Sequence, residues 1–268
     1  LEYMPTLLPL LDEDVSTLAG KLFTRQGLEL VLGVKVTGTS RKDDRVTVEY
    51  VGKDGQPTGV TGDRVLLAVG RKPNTANLNA EAVGIKLDKR GCILVDAHYN
   101  TGVPGIYAIG DVIPGPMLAH KAEEEGIAAV EHIAAKPGQS TGHVNYDAIP
   151  NVIYTHPEIA TVGKSEAELK KAGVPYRKGK FPFAANGRAK ALGETDGFVK
   201  ILAHQDTDRI LGVQIIGPRA SDLIAEAAIA IEFSASAEDL ARSVHALPAL
   251  SEAVKEAALV AGGRVIHM

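Results

Sequence analysis

The 268-residue chain has a single cysteine, Cys92. One thiol excludes an internal disulfide, a CxxC redox pair and a cysteine-rich metal site. It fits a reducing compartment, and the cytoplasm is the expected location. Long apolar runs are missing too. Stretches such as Val65–Val69 fall far short of the ~20 residues a membrane helix needs. There is no basic excess either: the formal net charge is −4, so the footprint of a nucleic-acid binder is absent. No internal repeat, low-complexity tract or secretory leader pattern is visible. Position 1 is leucine, and Leu1-Glu2-Tyr3 reads as the end of an element, followed at once by Pro5 and Pro9. The chain is therefore expected to be a fragment or a processed product. What is present is ordinary globular material, 45% apolar and 23% charged, with length for one large or two to three small domains.

Periodicity divides the chain into three blocks. Asp12 and Asp14 open an amphipathic helix over 11–26, with Val15, Leu18, Leu22 and Phe23 at helical spacing and Gly27 after its end. Leu28–Val36 reads as a strand. Arg45–Val51 alternates as a half-exposed strand, Asp54-Gly55 marks a hairpin turn, and Thr61–Val69 returns as a strand ending in a buried run. In the second block, Cys92–Val95 reads as a short strand in which Cys92 packs, and Gly105–Asp111 as a buried strand. Pro114-Gly115-Pro116 then leads into a helix from Met117 to Ala135, and Lys136–Gly142 reads as a linker. The third block has strands at Val152–Tyr154, Gly197–Ala203 and Ile210–Gly217. Its helices are expected at Ser165–Ala172, Ser221–Phe233, Ala237–Val244 and from Pro248 to Ala261, an α+β arrangement. The fold class is α/β and α+β, divided as 1–73, 74–150 and 151–268.

Two features carry chemistry. Asp111 ends a strand, and the helix that begins near Met117 offers free amides and a partial positive charge. Together they read either as a ligand or anion site or as a capped turn. The histidines His98, His132, His143, His204 and His267 are scattered and make no metal-ligand spacing, so no metal is expected. Lys121, Glu123, Glu124 and Glu125 read as a solvated helix face.

The run Gly105-Ile106-Tyr107-Ala108-Ile109-Gly110-Asp111, continued by Met117-Leu118-Ala119-His120-Lys121-Ala122-Glu123-Glu124-Glu125-Gly126, resembles the second flavin-contact motif of the flavin disulfide reductases. Within that group the chain is most similar to the dihydrolipoyl dehydrogenases. Tyr154-Thr155-His156-Pro157-Glu158, Phe181–Ala189 and Glu238-Asp239-Leu240-Ala241-Arg242 agree, so the likeness runs along the whole chain. It implies FAD and NAD as cofactors, a homodimer, and lipoyl-bearing components of 2-oxoacid dehydrogenase complexes as partners. Gly110 and Asp111 would meet the ribityl chain of FAD, and Met117, Leu118, Ala119 and His120 the flavin pyrimidine edge. Glu2, Val36 and Gly70 would line the NAD site. The expected arrangement is the tail of a Rossmann-like NAD domain, a central FAD-contacting domain and an α+β interface domain.

The resemblance also exposes what is missing. No GxGxxG occurs, although the family uses two such loops for its dinucleotides. Both loops, and the redox cysteine pair, would lie upstream of Leu1. The family's His-Ala-His-Pro-Thr-Leu-x-Glu segment reads here His245-Ala246-Leu247-Pro248-Ala249-Leu250-Ser251-Glu252. The orienting Glu252 is present, but the base position holds Leu247, which cannot carry a proton. His245 matches the non-catalytic histidine and is a weak substitute. The chain alone is therefore expected to be inactive. A non-catalytic dimerisation module and a related flavin reductase that needs no base are the alternatives.

Overall fold

The computed structural model describes residues 1–136, 139 and 142–267. The Lys136–Gly142 stretch read as a linker falls partly outside the described residues, at Pro137, Gly138, Ser140 and Thr141. The chain divides into two compact units, Leu1–Leu66 with Asp147–Met268, and Leu67–Tyr146.

The first unit begins with helix α1, Glu13–Arg25, close to expectation. Asp12 caps it by accepting the Asp14 amide at 3.1 Å, and Glu13 and Asp14 sit in the first turn, where the helix dipole favours acids. A three-stranded antiparallel sheet follows: β1 (Lys35–Lys42), β2 (Arg45–Val51) and β3 (Pro57–Gly62). Asp54 and Gly55 form the β2–β3 turn, with the Asp54 carboxylate accepting the Gln56 amide at 3.0 Å.

Two expected strands are corrected here. Leu28–Val34 makes only the parallel bridge Glu2↔Leu32, and regular pairing starts at Lys35. The expected buried run after Gly62 is not a strand, and Leu66 and Leu67 are 89% and 79% exposed. An apolar run becomes a buried strand only when neighbouring strands take its amides and carbonyls. No described strand flanks Val65–Val69.

The same unit holds a five-stranded antiparallel sheet in the order β4-β5-β8-β7-β6: β4 (Asn151–Ile153), β5 (Glu158–Gly163), β6 (Tyr176–Pro182), β7 (Phe198–His204) and β8 (Ile210–Gly217). The strand period of two sorts β7 cleanly. Val199, Ile201 and Ala203 enter a core with α5 (Ala220–Glu232), α6 (Ala237–Arg242) and α7 (Glu252–Ala261). Phe198 faces the other way, packing with Ile159 and Ile216 against Val15, Ala19, Leu22 and Phe23 of α1. Helices α3 (Glu166–Ala172) and α6 both start with capping boxes, Ser165 with Glu168 and Ser236 with Asp239. Gly179 on β6 has a packing reason: a Cβ there would lie 1.9 Å from the Ala257 carbonyl, so only glycine lets β6 touch α7. Sequence reading missed β5, β6 and the short α4 (Gly187–Leu192), which lie in or beside the quoted family motifs.

The second unit is mostly irregular. Cys92–Val95 and Gly105–Asp111 contribute only the isolated bridges Leu87↔Ile93 and Asn100↔Tyr107, correcting two expected strands. Its turns are held by carboxylates instead. Asp88 accepts the amides of Arg90 and Cys92, and Asp96 those of His98 and Asn100. Cys92 is buried, as expected. Helix α2, Ala119–Ala134, packs Ala128 and Ala129 against Ile93, Tyr99, Ala108 and Ile113. Among the described residues no helix is long and apolar enough to cross a membrane.

Candidate functional site

Asp111 lies in a single 3-10 turn, Gly110–Val112, that ends the Gly105–Asp111 segment. Its carboxylate pairs with Arg71 at 2.7 Å, and the side chains are 36% and 69% exposed. Gly110 holds φ +73°, and a Cβ there would come within 3.0 Å of the Ala122 Cβ on α2. The turn is therefore pressed against the first turn of α2. Leu118 precedes that helix, and its own side chain makes no capping hydrogen bond. Met117 and Leu118 are half-buried, while Ala119 and His120 are exposed. Carboxylate and helix start thus adjoin, as expected.

The solvated-face reading of the Lys121–Glu125 stretch holds for Glu123 and Glu124 and fails for the other two. Lys121 and Glu125 are both 0% exposed and form an ion pair at 2.9 Å. They belong to the face of α2 that meets Gly110. Helical spacing shows which residues share a face, but it does not show which face is covered.

Of the expected NAD residues, two lie in one unit and one in the other. Glu2 makes the parallel bridge to Leu32, and its Oε1 accepts the Met4 amide at 2.7 Å. Val36 is 49% exposed at the start of β1. Gly70, at φ +115°, belongs to the other unit.

At the carboxy-terminal segment, Leu247 is 76% exposed. Glu252 opens α7, and its Oε2 accepts the Ala249 amide at 2.7 Å, so its carboxylate already has a donor. His245 is directed elsewhere. Its Nε2 lies 2.6 Å from Glu226 Oε1 on α5, and its Nδ1 lies 3.1 Å from the Ser243 carbonyl.

One cluster escaped the sequence reading. Lys200, in the middle of β7, is 1% exposed, yet its ammonium reaches Asp12 Oδ1 at 2.8 Å, Asp14 Oδ2 at 3.0 Å and also Glu166. Tyr176 donates to Glu166 at 2.6 Å. Burial alone would raise the Glu166 carboxyl, but the hydrogen bonds from Lys200 and Tyr176 outweigh it and hold it at about 2. Burial likewise pulls the Lys200 ammonium down, and its bonds to Asp12, Glu166 and Asp14 lift it above the ordinary lysine value. Asp12, Asp14 and Glu166 are close enough together to ligate a cation. The Lys200 ammonium already bonds all three, so the arrangement is an internal ion cluster. Its one signal in the sequence is a lysine inside the apolar run Phe198–Ala203.

Two family models match, pyridine nucleotide-disulphide oxidoreductase over residues 1–126 and the dimerisation domain of the same group over 149–258. The chain is 52% identical over 268 residues to the dihydrolipoyl dehydrogenase of Cupriavidus necator, covering 100% of this chain and 56% of that protein. It is 48% identical over 269 residues to the mitochondrial dihydrolipoyl dehydrogenase of Pisum sativum, covering 100% and 53%. The chain thus spans about half the length of the curated relatives it matches. The crystal structure of LpdA from Mycobacterium tuberculosis superposes with a TM-score of 0.83 at 30% identity, over 92% of this chain and 52% of that one. The chain belongs to the pyridine nucleotide-disulphide oxidoreductase family, as a segment homologous from end to end to dihydrolipoyl dehydrogenases.

Proposed function

We propose that this chain is the carboxy-terminal portion of a dihydrolipoyl dehydrogenase. In the full-length enzyme, dihydrolipoamide and NAD⁺ give lipoamide, NADH and a proton. The observation that carries the reading is the half-buried Asp111 carboxylate, in a turn packed against the first turn of α2. This donor set fits a flavin: a carboxylate accepts from ribityl hydroxyls, where a ligand hydroxyl competes with the exposed Arg71. Helix amides suit an edge that gathers negative charge. When bound, FAD supplies the two-electron relay between substrate dithiol and NAD. Asp111 and Gly110 hold its ribityl chain, and Met117, Leu118, Ala119 and His120 polarise its pyrimidine edge. Glu2, in the same unit as Val36, accepts from the NAD ribose; Gly70 is given to the same cofactor by the family resemblance alone. The three-part division at 73 and 150 belongs to the same reading. Lipoyl-bearing components of 2-oxoacid complexes are the proposed partners, and the compartment is a reducing one, cytoplasmic or, as for the Pisum sativum relative, mitochondrial.

Leu247 favours a second reading, a related flavin reductase that needs no base at that position. The upstream sequence separates the two. Two GxGxxG loops with a Cys-x4-Cys pair support the dehydrogenase, and loops without the cysteines support the reductase. Neither feature upstream would leave a dimerisation module.

Flavin retention gives a second test. The chain alone is expected to lose FAD on gel filtration, because it has no glycine loop to cradle the pyrophosphate, a main anchor of such cofactors. Yellow protein with stoichiometric flavin would overturn this.

The homodimer is proposed to form through residues from Asn151 onward. The apolar spacing of Leu223, Ile224, Ala227, Ala228 and Ile231 suggests a partner-facing stripe on α5. Ile224, Ala227 and Ile231 are buried within the chain's own core instead. Ile229 and Phe233, 60% and 80% exposed, and Val244 at 97% are among the apolar side chains this region offers a partner. Obligate interfaces are large and apolar. Light scattering at micromolar concentration should give the dimer mass, and Phe233→Glu should shift it to monomer. A wild-type monomer would refute the assignment.

A further inference from the structure

We propose that the buried Lys121–Glu125 pair, anchored by Tyr146, is a positioning unit that holds Gly110–Asp111 against the first turn of α2. It thereby makes the two flavin-contact elements one preorganised site. This role rests on the flavin reading above, and it uses residues to which that reading gives no part.

The geometry is closed. Lys121 Nζ donates to Glu125 Oε2 at 3.0 Å and to the Gly110 carbonyl at 3.2 Å, and lies 2.9 Å from Glu125 Oε1. Glu125 Oε2 accepts the Gly110 amide at 2.7 Å, and Oε1 accepts the Tyr146 hydroxyl at 2.7 Å. Both peptide groups of Gly110 are therefore held by one ion pair, immediately before Asp111. Lys121 is the third residue of α2, so the same ammonium ties the helix start to the turn. The intervening loop closes over the lysine stem: a Cβ on Gly115 would lie 2.9 Å from Lys121 Cε.

Stability alone does not call for such a pair. Both side chains are fully buried, and desolvating two charges offsets most of their attraction, so an apolar pair of similar volume would hold the helix at least as well. What the ion pair adds is direction. It fixes the left-handed Gly110 peptide at both ends, and a first contact shell needs that support from behind. Burial and the bond to Glu125 also push the Tyr146 phenol above its ordinary value, so Tyr146 stays a donor.

The test uses Glu125→Gln and the milder Tyr146→Phe, which keeps the ion pair. In the chain itself, the Gly110 amide reports directly. Its hydrogen exchange should accelerate by about tenfold or more in Glu125→Gln and less in Tyr146→Phe, as expected for weakening a bond to a charged group. The amides of β7 should be unchanged. In the flavin-loaded full-length protein, the FAD dissociation constant should rise about tenfold in Glu125→Gln and a few-fold in Tyr146→Phe. Adding Asp111→Asn to Glu125→Gln should cost less than the sum of the two, since both act through one contact. Retained flavin with wild-type affinity and reduction potential in both variants would overturn the positioning role alone. A wild-type full-length protein that retains no flavin would overturn the functional reading and this role with it.

Discussion

On the proposed dehydrogenase reading, Leu247→His made in the full-length protein is expected to raise dihydrolipoamide turnover by about 10²–10⁴-fold, the usual contribution of a positioned base. The substrate thiol must lose its proton before it attacks a disulfide, because the thiolate is the nucleophile. Leucine offers no lone pair at this position. The nearest imidazole, His245, is engaged with Glu226 at 2.6 Å and with the Ser243 carbonyl, so it is not poised to replace the base. Leu247 itself is 76% exposed, which leaves room for an imidazole. Glu252 stands five residues on, at the start of α7. Its carboxylate is held by the Ala249 amide, so it costs the leucine form no unpaired buried charge and remains available to orient a new histidine. Hydride exchange between flavin and NAD does not use this base. Diaphorase activity with artificial acceptors should therefore be equal in both forms, and it serves as the internal control. Parallel stopped-flow or steady-state assays decide the matter. Equal lipoamide rates with leucine and histidine would mean that His245 or solvent supplies the proton transfer, and the assignment of position 247 would fail.

Lys200→Met is expected to cost the first unit about 3–5 kcal/mol, the range for removing one partner of a buried ion pair. It strips the 2% exposed Asp12 of its ammonium partner, while Asp14 keeps Lys180 at 3.4 Å and Glu166 keeps Lys178 at 3.2 Å. Urea unfolding should show the loss as a lower midpoint at unchanged slope. A loss below about 1 kcal/mol would place the cluster with weak surface pairs instead.

The pH dependence has a defined sign. The Glu166 carboxyl is depressed from 4.5 to about 2 in the folded chain. Its contribution is therefore complete above 4.5 and lost as the pH falls from there through about 2, in total about 3 kcal/mol. The Lys200 ammonium is raised above its ordinary 10.5. Its contribution is complete below 10.5 and lost as the pH climbs through the raised folded value. Lys200→Met should flatten both arms, and an unchanged acid arm in that variant would show that Glu166 draws its shift from Tyr176 and Lys178 instead.

Local features were the legible ones. Helix α1 was readable because Asp12, the apolar spacing and Gly27 all lie within one window, and β2 because Arg45–Val51 alternates over its own length. The sequence also carried the likeness to a family, and with it Asp111 and the start of α2. The two charged clusters show where such reading stops. Lys121 and Glu125 form an ordinary i,i+4 pair in sequence, the kind that usually lies on a wet helix face. Only the Gly110 turn folding back onto α2 turned that pair inward. Lys200 was visible as a charge in an apolar strand, but its partner Asp12 lies 188 residues away, beyond any periodicity.

By itself the sequence determined the family, most helices, the single cysteine and the leucine at position 247, because each depends on residue identity or on neighbours within a few turns. Only the tertiary structure decided which faces are covered. It turned Ile224 and Ala227 inward to the chain's own core, left Leu66 and Leu67 in solvent, and aimed His245 at Glu226. The reason is physical. Burial and hydrogen-bond partners come from elements distant in sequence, and an apolar or charged pattern states only what a residue requires of its surroundings, not which surroundings it meets.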